Sequence, residues 1–261
     1  HLGQVPAMYL MQMSTKKFQN MDWSSMKVMV WGAYSASEKM VRALSDIAKR
    51  YNFYLLTGYG STELCGFTTY AKPDDSIQTL FSSTGRIVPP YEVKVVDDER
   101  KEVPIGKVGE IAFRGPVVMK EYLNNPIATS LVKDKEGWFY TSDLGWVDEN
   151  GYVYVCGRKS EMYKTGGENV FPKEIEDLLE MHPAVQMAAV IGVQDSMYGE
   201  IGYAFVVPKV GASVTEAELR EYCKRHLAGF KVPRKFEFRN TLPLLSNGKI
   251  DKLTLRQWVA S

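Results

Sequence analysis

Cysteine and histidine are scarce in this sequence, and their scarcity removes several chemistries. The three cysteines among 261 residues, Cys65, Cys156 and Cys223, are odd in number and widely spaced. They form no Cys-x-x-Cys pair and no Cys/His cluster, so neither a disulfide framework nor a zinc site is supported. A reducing, cytoplasmic setting is expected. The three histidines, His1, His182 and His226, are scattered. No Gly-x-Ser-x-Gly elbow accompanies them, which disfavours a Ser–His–acid hydrolase. Net charge is +1, so no field of one sign selects nucleic acid or an anionic membrane as partner. No apolar run approaches the length of a membrane span. Residues 1–9 lack the basic-then-apolar pattern of a secretory signal. Repeats and low-complexity segments are also missing.

What is present is ordinary for a globular protein: 45% apolar and 24% charged residues, enough to bury a core. The length allows one large domain, or a medium domain plus a smaller one. Residues 26–31 (MKVMVW) read as a strand and residues 37–50 as a helix. Met40, Val41, Leu44, Ile47 and Ala48 form the helix's apolar stripe, and Ser37 is its expected N-cap. Residues 53–56 read as the next strand, so residues 1–80 form an α/β segment. Residues 91–96, 108–113 and 152–155 are short β-rich runs separated by Gly, Pro and Asp turns, which makes residues 81–158 a β-rich subdomain. Asn150-Gly151 marks a turn within it. A boundary near Lys159-Ser160 precedes a small α+β domain, residues 159–261. Residues 159–169 are polar and contain Gly166-Gly167. Pro172 opens a helix to about Met181. Strands follow at 184–193 and 201–207, then a helix at 215–227 with a Thr215/Glu218 capping box, and a last strand at 236–238.

Four segments carry candidate chemistry. Thr57-Gly58-Tyr59-Gly60-Ser61-Thr62-Glu63 follows a strand, and its glycines let backbone approach a ligand. Tyr59 can stack on a base, Thr62 can donate to a phosphate oxygen, and Glu63 can hold a hard divalent cation. The same residues also suit a plain glycine-containing turn. In Tyr140-Thr141-Ser142-Asp143-Leu144-Gly145, an aspartate in a tight turn can accept from the two vicinal hydroxyls of a ribose, although Ser-Asp-x-Gly is also common turn chemistry. The segment from Gly157 to Glu176 offers the Arg158 fork for hydroxyls or phosphate, or else a charged, flexible linker. Ser246-Asn247-Gly248-Lys249-Ile250-Asp251-Lys252 places a lysine on a turn, where most lysines are simply solvated.

Together, in order and spacing, these four segments resemble the adenylate-forming superfamily of acyl-CoA and aryl-CoA ligases, firefly-type luciferases and peptide-synthetase adenylation domains. The resemblance runs from about residue 5 to about residue 253. It is closest to the AMP-forming acyl-CoA ligases, through Gly-Gly-Glu-Asn-Val-Phe-Pro-x-Glu-Ile-Glu. It implies the C-terminal part of a large adenylation domain, followed by a small mobile domain. By that resemblance Gly32 and Ala33 line the adenine pocket, with Tyr34 where a proline is usual. Tyr59 packs on adenine, Gly60 belongs to the same loop, and Thr62 contacts phosphate. Glu63 is the magnesium-associated acid. Asp143 and Arg158 hold the ribose, and Lys249 is the lysine needed for adenylate formation. Lys164, Gly166 and Gly167 belong to the CoA-facing loop. Ser160 is the hinge position, where Asp or Lys is usual. ATP, Mg2+ and CoA are the implied cofactors and co-substrates, and a carboxylic acid the substrate.

Family members also carry, far upstream, a Ser/Thr/Gly-rich loop ending in Lys-Gly that cradles the ATP phosphates. This chain has no such loop and starts at His1, so much of the N-terminal lobe, with part of the acyl pocket, is expected to be missing. That lobe, or a second copy of the chain, is then a partner. What remains of the acyl pocket is expected near residues 31–34 and 64–68. The alternatives are a non-catalytic fragment retaining the fold, a nucleotide-binding module, and a luciferase-like oxygenase.

Overall fold

The computed structural model describes residues 1–32, 36–245 and 248–260. The chain forms two compact units, His1–Val155 and Cys156–Ser261. The division falls ahead of the boundary read from the sequence.

The first unit opens with β1 (Leu2–Gln4), α1 (Pro6–Met13), α2 (Lys16–Gln19), β2 (Val28–Trp31), α3 (Glu38–Tyr51) and β3 (Tyr54–Thr57). β2 lies between β1 and β3 and is parallel to both. α3 starts where Ser37 accepts from the Met40 N–H, and ends at Asn52, which takes a left-handed conformation with φ 55°. Its Met40, Val41, Leu44 and Ala48 are buried against Met29, Trp31 and Leu55. α1 and α2 went unassigned from the sequence. α1 is anchored by Tyr9, whose hydroxyl donates to Leu2 O (3.0 Å) and Val30 O (3.2 Å).

Short pieces follow: β4 (Gly60–Ser61), β5 (Gly66–Phe67), β6 (Thr69–Tyr70), α4 (Ile77–Ser82) and β7 (Arg86–Ile87). Next come β8 (Glu92–Val96), β9 (Gly109–Arg114), α5 (Pro126–Val132), β10 (Phe139–Val147) and β11 (Val153–Arg158). These four strands form a sheet in the order β11-β10-β9-β8, with β9 antiparallel to both β8 and β10. Alternation sends Ile111, Phe113, Phe139 and Val153 to one face, where Leu64 joins them. Val96, Ala112, Trp138 and Tyr140 occupy another cluster. Basic side chains cover its aromatic rings: the Lys94 ammonium lies 4.3 Å from the Trp138 centroid, and the Arg100 guanidinium 4.0 Å from that of Tyr140. The Asn150-Gly151 turn forms as read, with Gly151 at φ 78° and its N–H donating to Asp148 O.

The second unit contains β12 (Tyr163–Thr165), β13 (Glu168–Val170), α6 (Pro172–Met181), β14 (Val185–Asp195), β15 (Gly199–Pro208), α7 (Glu216–His226), β16 (Lys235–Phe238) and α8 (Lys252–Ala260). The sheet runs β13-β12-β15-β14, with β16 parallel to β15. β14 and β15 form a hairpin. Its turn is built by Asp195, whose Oδ1 accepts from the Met197 (2.9 Å) and Tyr198 (3.0 Å) N–H groups, and by Gly199 at φ 80°. Ala188, Val190, Ala204 and Val206 pack with Ile175 and Leu179 of α6 and Leu219 and Cys223 of α7. Their neighbours Ala189, Ile191, Phe205 and Val207 pack with Leu255 of α8. Both faces of the hairpin are therefore covered, which is why it reads as unbroken apolar runs. α7 carries the capping box read from the sequence.

Residues 159–169 need a correction. Of the two readings given above, the charged, flexible linker does not hold for 163–170, because β12 and β13 pair as a hairpin whose two-residue turn is Gly166 (φ 58°) and Gly167 (φ 88°). Both angles lie in the left-handed region that this turn needs and glycine supplies without strain. The hairpin is seated by Tyr163, which is buried between two glycines of β14 and β15. A Cβ on Gly192 would meet Tyr163 Cβ at 2.3 Å, and one on Gly202 would meet its hydroxyl at 2.4 Å.

Candidate active site

In the first unit the chain leaves β3 and doubles back at once. Gly58, Gly60 and Gly32 are the positions where it presses on β5 and β6. A Cβ on Gly60 would lie 1.9 Å from Gly66 O, and one on Gly58 2.5 Å from Thr69 O. At Gly32 it would lie 2.3 Å from Phe67 Cζ. Alanine has no room at any of the three without a shift of neighbouring atoms. Ala33, matched with Gly32 to the adenine pocket, and Tyr34 beside it lie outside the described residues.

Tyr59 sits between these glycines. Its N–H donates to Thr69 Oγ1 (2.9 Å), and its carbonyl accepts from the Thr68 N–H (2.8 Å). Its ring stacks on Phe113 with centroids 5.5 Å apart. Its hydroxyl donates to Asp143 Oδ2, joining residues 84 apart in sequence. Thr62 and Glu63 follow on a single 3-10 turn that ends at Cys65 with φ 55°. The Glu63 carboxylate accepts from the Tyr122 hydroxyl at 2.9 Å, and its carbonyl from the Met119 N–H at 2.7 Å. Tyr91 donates to Leu64 O at 2.8 Å.

The second correction concerns Asp143. It does not lie in a tight turn but inside the nine-residue strand β10, at a break in the β9–β10 register. Asp143 is 7% exposed. The structure thus brings Tyr59, Thr62, Glu63 and Asp143 into one unit, with Tyr59 and Asp143 in contact.

The other candidate residues belong to the second unit. Arg158 ends β11 exposed, and its carbonyl accepts from the Glu161 and Met162 N–H groups at 3.0 and 3.1 Å. Ser160 is exposed in the turn that follows. Lys164 is exposed on β12 while its N–H donates to Glu200 Oε2 (3.0 Å), and the Gly166 N–H donates to Tyr198 O (2.9 Å). Lys249 is exposed on a reversal in which the Leu245 N–H donates to Lys249 O (2.8 Å) and the Gly248 N–H to Leu245 O (2.9 Å). Ser246 and Asn247 of that motif lie outside the described residues. Close by, the Lys252 ammonium meets Glu161 Oε2 at 2.5 Å and Glu176 Oε1 at 2.8 Å. Burial opposes its charge, but Glu176 and Glu161 outweigh that and hold its pKa above the ordinary lysine value.

Residues 1–123 match the family described as AMP-binding enzyme, and residues 174–249 match the AMP-binding enzyme C-terminal domain. The chain belongs to this family. An indoleacetate–CoA ligase of Aromatoleum aromaticum is 37% identical to it over 256 residues, covering 98% of the chain and 49% of the relative. A long-chain-fatty-acid–CoA ligase of Escherichia coli is 39% identical over 244 residues, covering 94% and 42%. A solved o-succinylbenzoate CoA synthetase from Bacillus subtilis, in complex with an acyl-adenylate intermediate, superposes with TM-score 0.86 at 31% identity, over 97% of the chain and 50% of that protein. The chain thus spans about half the length of these relatives. No helix among its described residues is long and apolar enough to cross a membrane.

Sequence reasoning missed Tyr122, Tyr91 and Glu110. Their partners are far off along the chain, and no local pattern marks them. Thr141 and Ser142 stood in a quoted motif, but their hydrogen bonds to β9 were not foreseen.

Proposed function

We propose that this chain is the part of an AMP-forming acid–CoA ligase that holds the nucleotide and carries the adenylation lysine and the thiol-facing loop. The observation that carries the reading is the Tyr59–Asp143 hydrogen bond beside the Thr62–Glu63 turn, which groups a base-stacking ring, a ribose acceptor, a phosphate donor and an acid in one unit. The names of the three relatives given above, each a CoA ligase or CoA synthetase, support the same reaction class.

In this reading adenine lies by Tyr59 and the Gly32 loop, and the ribose hydroxyls donate to the Asp143 carboxylate. The fork of Arg158 adds donors to the ribose, and the Thr62 hydroxyl donates to a phosphate oxygen. A carboxylate oxygen of the acid attacks the α-phosphorus. The bond from that phosphorus to the bridging oxygen breaks, and pyrophosphate leaves. Two anions meet in this step, so the Lys249 ammonium offsets charge on the reacting oxygens. Glu63 is one carboxylate, and the described residues hold no cluster of three or more His, Cys, Asp or Glu fit for a metal, so the chain suits magnesium carried by nucleotide phosphates rather than a dedicated cage. Glu63 would hold such an ion beside the phosphates, and the ion would supply charge neutralisation for the pyrophosphate leaving group. The CoA thiol, its proton lost to solvent, then attacks the acyl carbonyl carbon through its sulfur, the bond from that carbon to the AMP phosphate oxygen breaks, and AMP departs with the bonding electrons. For that step the Ser160 hinge lets the loop of Lys164, Gly166 and Gly167 face the thiol.

A second reading, nucleotide binding without chemistry, is favoured by one observation. These 261 residues contain no Ser/Thr/Gly-rich loop ending in Lys-Gly. Pyrophosphate release from ATP and magnesium, measured across short-chain, long-chain and aryl acids, separates the two. Release that requires an acid is expected, and the active acid then names the substrate class. A chain that binds AMP but releases nothing with any acid overturns the ligase reading for these 261 residues, and that reading then belongs only to a longer parent chain.

A further inference from the structure

The break in β10 is built by side chains. Tyr140 pairs with Ala112 and Leu144 with Glu110, so the three residues Thr141, Ser142 and Asp143 stand opposite the single residue Ile111. A bulge of this kind leaves main-chain groups without ladder partners, and buried main-chain groups are costly to leave unpaired. Two side chains take them up. The Thr141 hydroxyl donates to Ile111 O at 2.8 Å and accepts from the Asp143 N–H at 3.1 Å. Glu110 Oε1 accepts from the Ser142 N–H at 2.9 Å. Ser142 is held at φ 61°, a left-handed conformation that a serine does not take without cause. Thr141 and Asp143 are both buried, at 8% and 7% exposure, and the Asp143 carboxylate meets the Tyr59 hydroxyl. In an unbroken strand, residue parity alone would decide which face Asp143 presents. Here the bulge decides it.

We infer that Glu110 and Thr141 are positioning residues, which fix the bulge so that Asp143 meets the two ribose hydroxyls of an adenine nucleotide. The inference rests on reading Asp143 as the ribose acceptor. Neither residue touches the nucleotide. Both act through the Ser142 and Asp143 amides.

The test compares AMP with 2′,3′-dideoxy-AMP, and follows amide hydrogen exchange at residues 142 and 143. The full chain is used as wild type, Thr141→Val, Thr141→Ser, Glu110→Leu, Glu110→Gln and Asp143→Ala. The wild type is expected to prefer AMP by about tenfold, the scale of one or two hydrogen bonds. Thr141→Val and Glu110→Leu are expected to speed exchange at 142–143 by about tenfold or more and to erase most of that preference. Thr141→Ser and Glu110→Gln, which keep a hydroxyl and an acceptor oxygen, are expected to restore both. A merely structural role would weaken both nucleotides equally and leave their ratio alone. If the ratio survives in Thr141→Val and Glu110→Leu but disappears in Asp143→Ala, the positioning role is overturned and the ribose reading stands. If the wild type does not distinguish the two nucleotides, or Asp143→Ala leaves the ratio unchanged, the ribose reading itself fails, and this inference with it. Should Thr141→Val not fold, Glu110→Leu decides the matter by the same ratio.

Discussion

Lys249→Ala is expected to lower acid-dependent pyrophosphate release by about 10²–10³-fold, the usual loss when one preorganised charge-stabilising donor is removed from a reacting oxyanion. Structure should be spared. Lys249 is exposed, and alanine keeps the main-chain carbonyl that accepts from the Leu245 N–H. Gly248, at φ 81°, keeps the reversal in place. AMP affinity should change far less than the rate, because the ammonium is needed where charge builds up. Lys249→Arg keeps the charge but not the compact point donor, and should recover only part of the rate. The decisive measurement is single-turnover adenylation with the acid found active for the wild type. A folded Lys249→Ala chain that adenylates at the wild-type rate removes this lysine from the mechanism.

Lys252→Met is expected to cost the Cys156–Ser261 unit about 3 kcal/mol, the low end for removing one member of a buried ion group, since Glu161 is partly exposed. The Lys252 side chain is 15% exposed, and its ammonium is shared by Glu161 and Glu176. Glu176 also accepts from the Val190 N–H at 2.8 Å, so it cannot swing away cheaply. Methionine would leave that carboxylate buried without its cation. The pairing raises the lysine pKa, so its contribution is fully present below the unfolded lysine value and is lost only as pH rises through the folded value. The wild-type contribution is therefore flat across neutral pH. Urea unfolding of wild type, Lys252→Met, Glu176→Gln and the double variant closes the cycle. The double variant should recover much of the loss. An unchanged midpoint in Lys252→Met would show that the triad contributes nothing to stability.

The parts of this fold that the sequence announces are those whose causes are local. Ser37 and Thr215 cap helices within their own first turns, and Pro172 opens α6 where it was read. The apolar runs of β14 and β15 name themselves because both faces are covered. α1 is different. It begins at Pro6 with no side-chain cap and exposes Met8, Leu10 and Met11, so no clean apolar stripe marks it. In 159–169 the glycine pair suggests slack, whereas the reason for a hairpin is Tyr163, seated between Gly192 and Gly202 far along the chain. The candidate site divides the same way. The expectation for Thr62 and Glu63 came from their own segment, and they share one 3-10 turn. The fit of Asp143 was not legible locally, because its bulge depends on Glu110 and Ile111, which lie 32 residues before Ser142 and 30 before Thr141. Nothing near Glu63 foretells Tyr122, 59 residues on.

The hairpin of β14 and β15 also sets an order of events. Its strands are neighbours in sequence and meet in ten registered pairs around the Asp195–Gly199 turn, so little loop entropy is lost in closing it. β1 must instead wait for β2, Leu2 pairing with Met29, and β2 for β3, Met29 pairing with Leu55. Chains dominated by near contacts fold faster than those needing distant ones. The second unit should accordingly nucleate at its hairpin, with Asp195→Ala slowing refolding in proportion to the stability it removes; in the first unit, substitutions in β1 should mainly speed unfolding. Stopped-flow refolding in which Asp195→Ala leaves the second unit's refolding rate unchanged would place its nucleus elsewhere. On the expected outcome, the strands that carry both apolar clusters of that unit are also the ones that start its assembly.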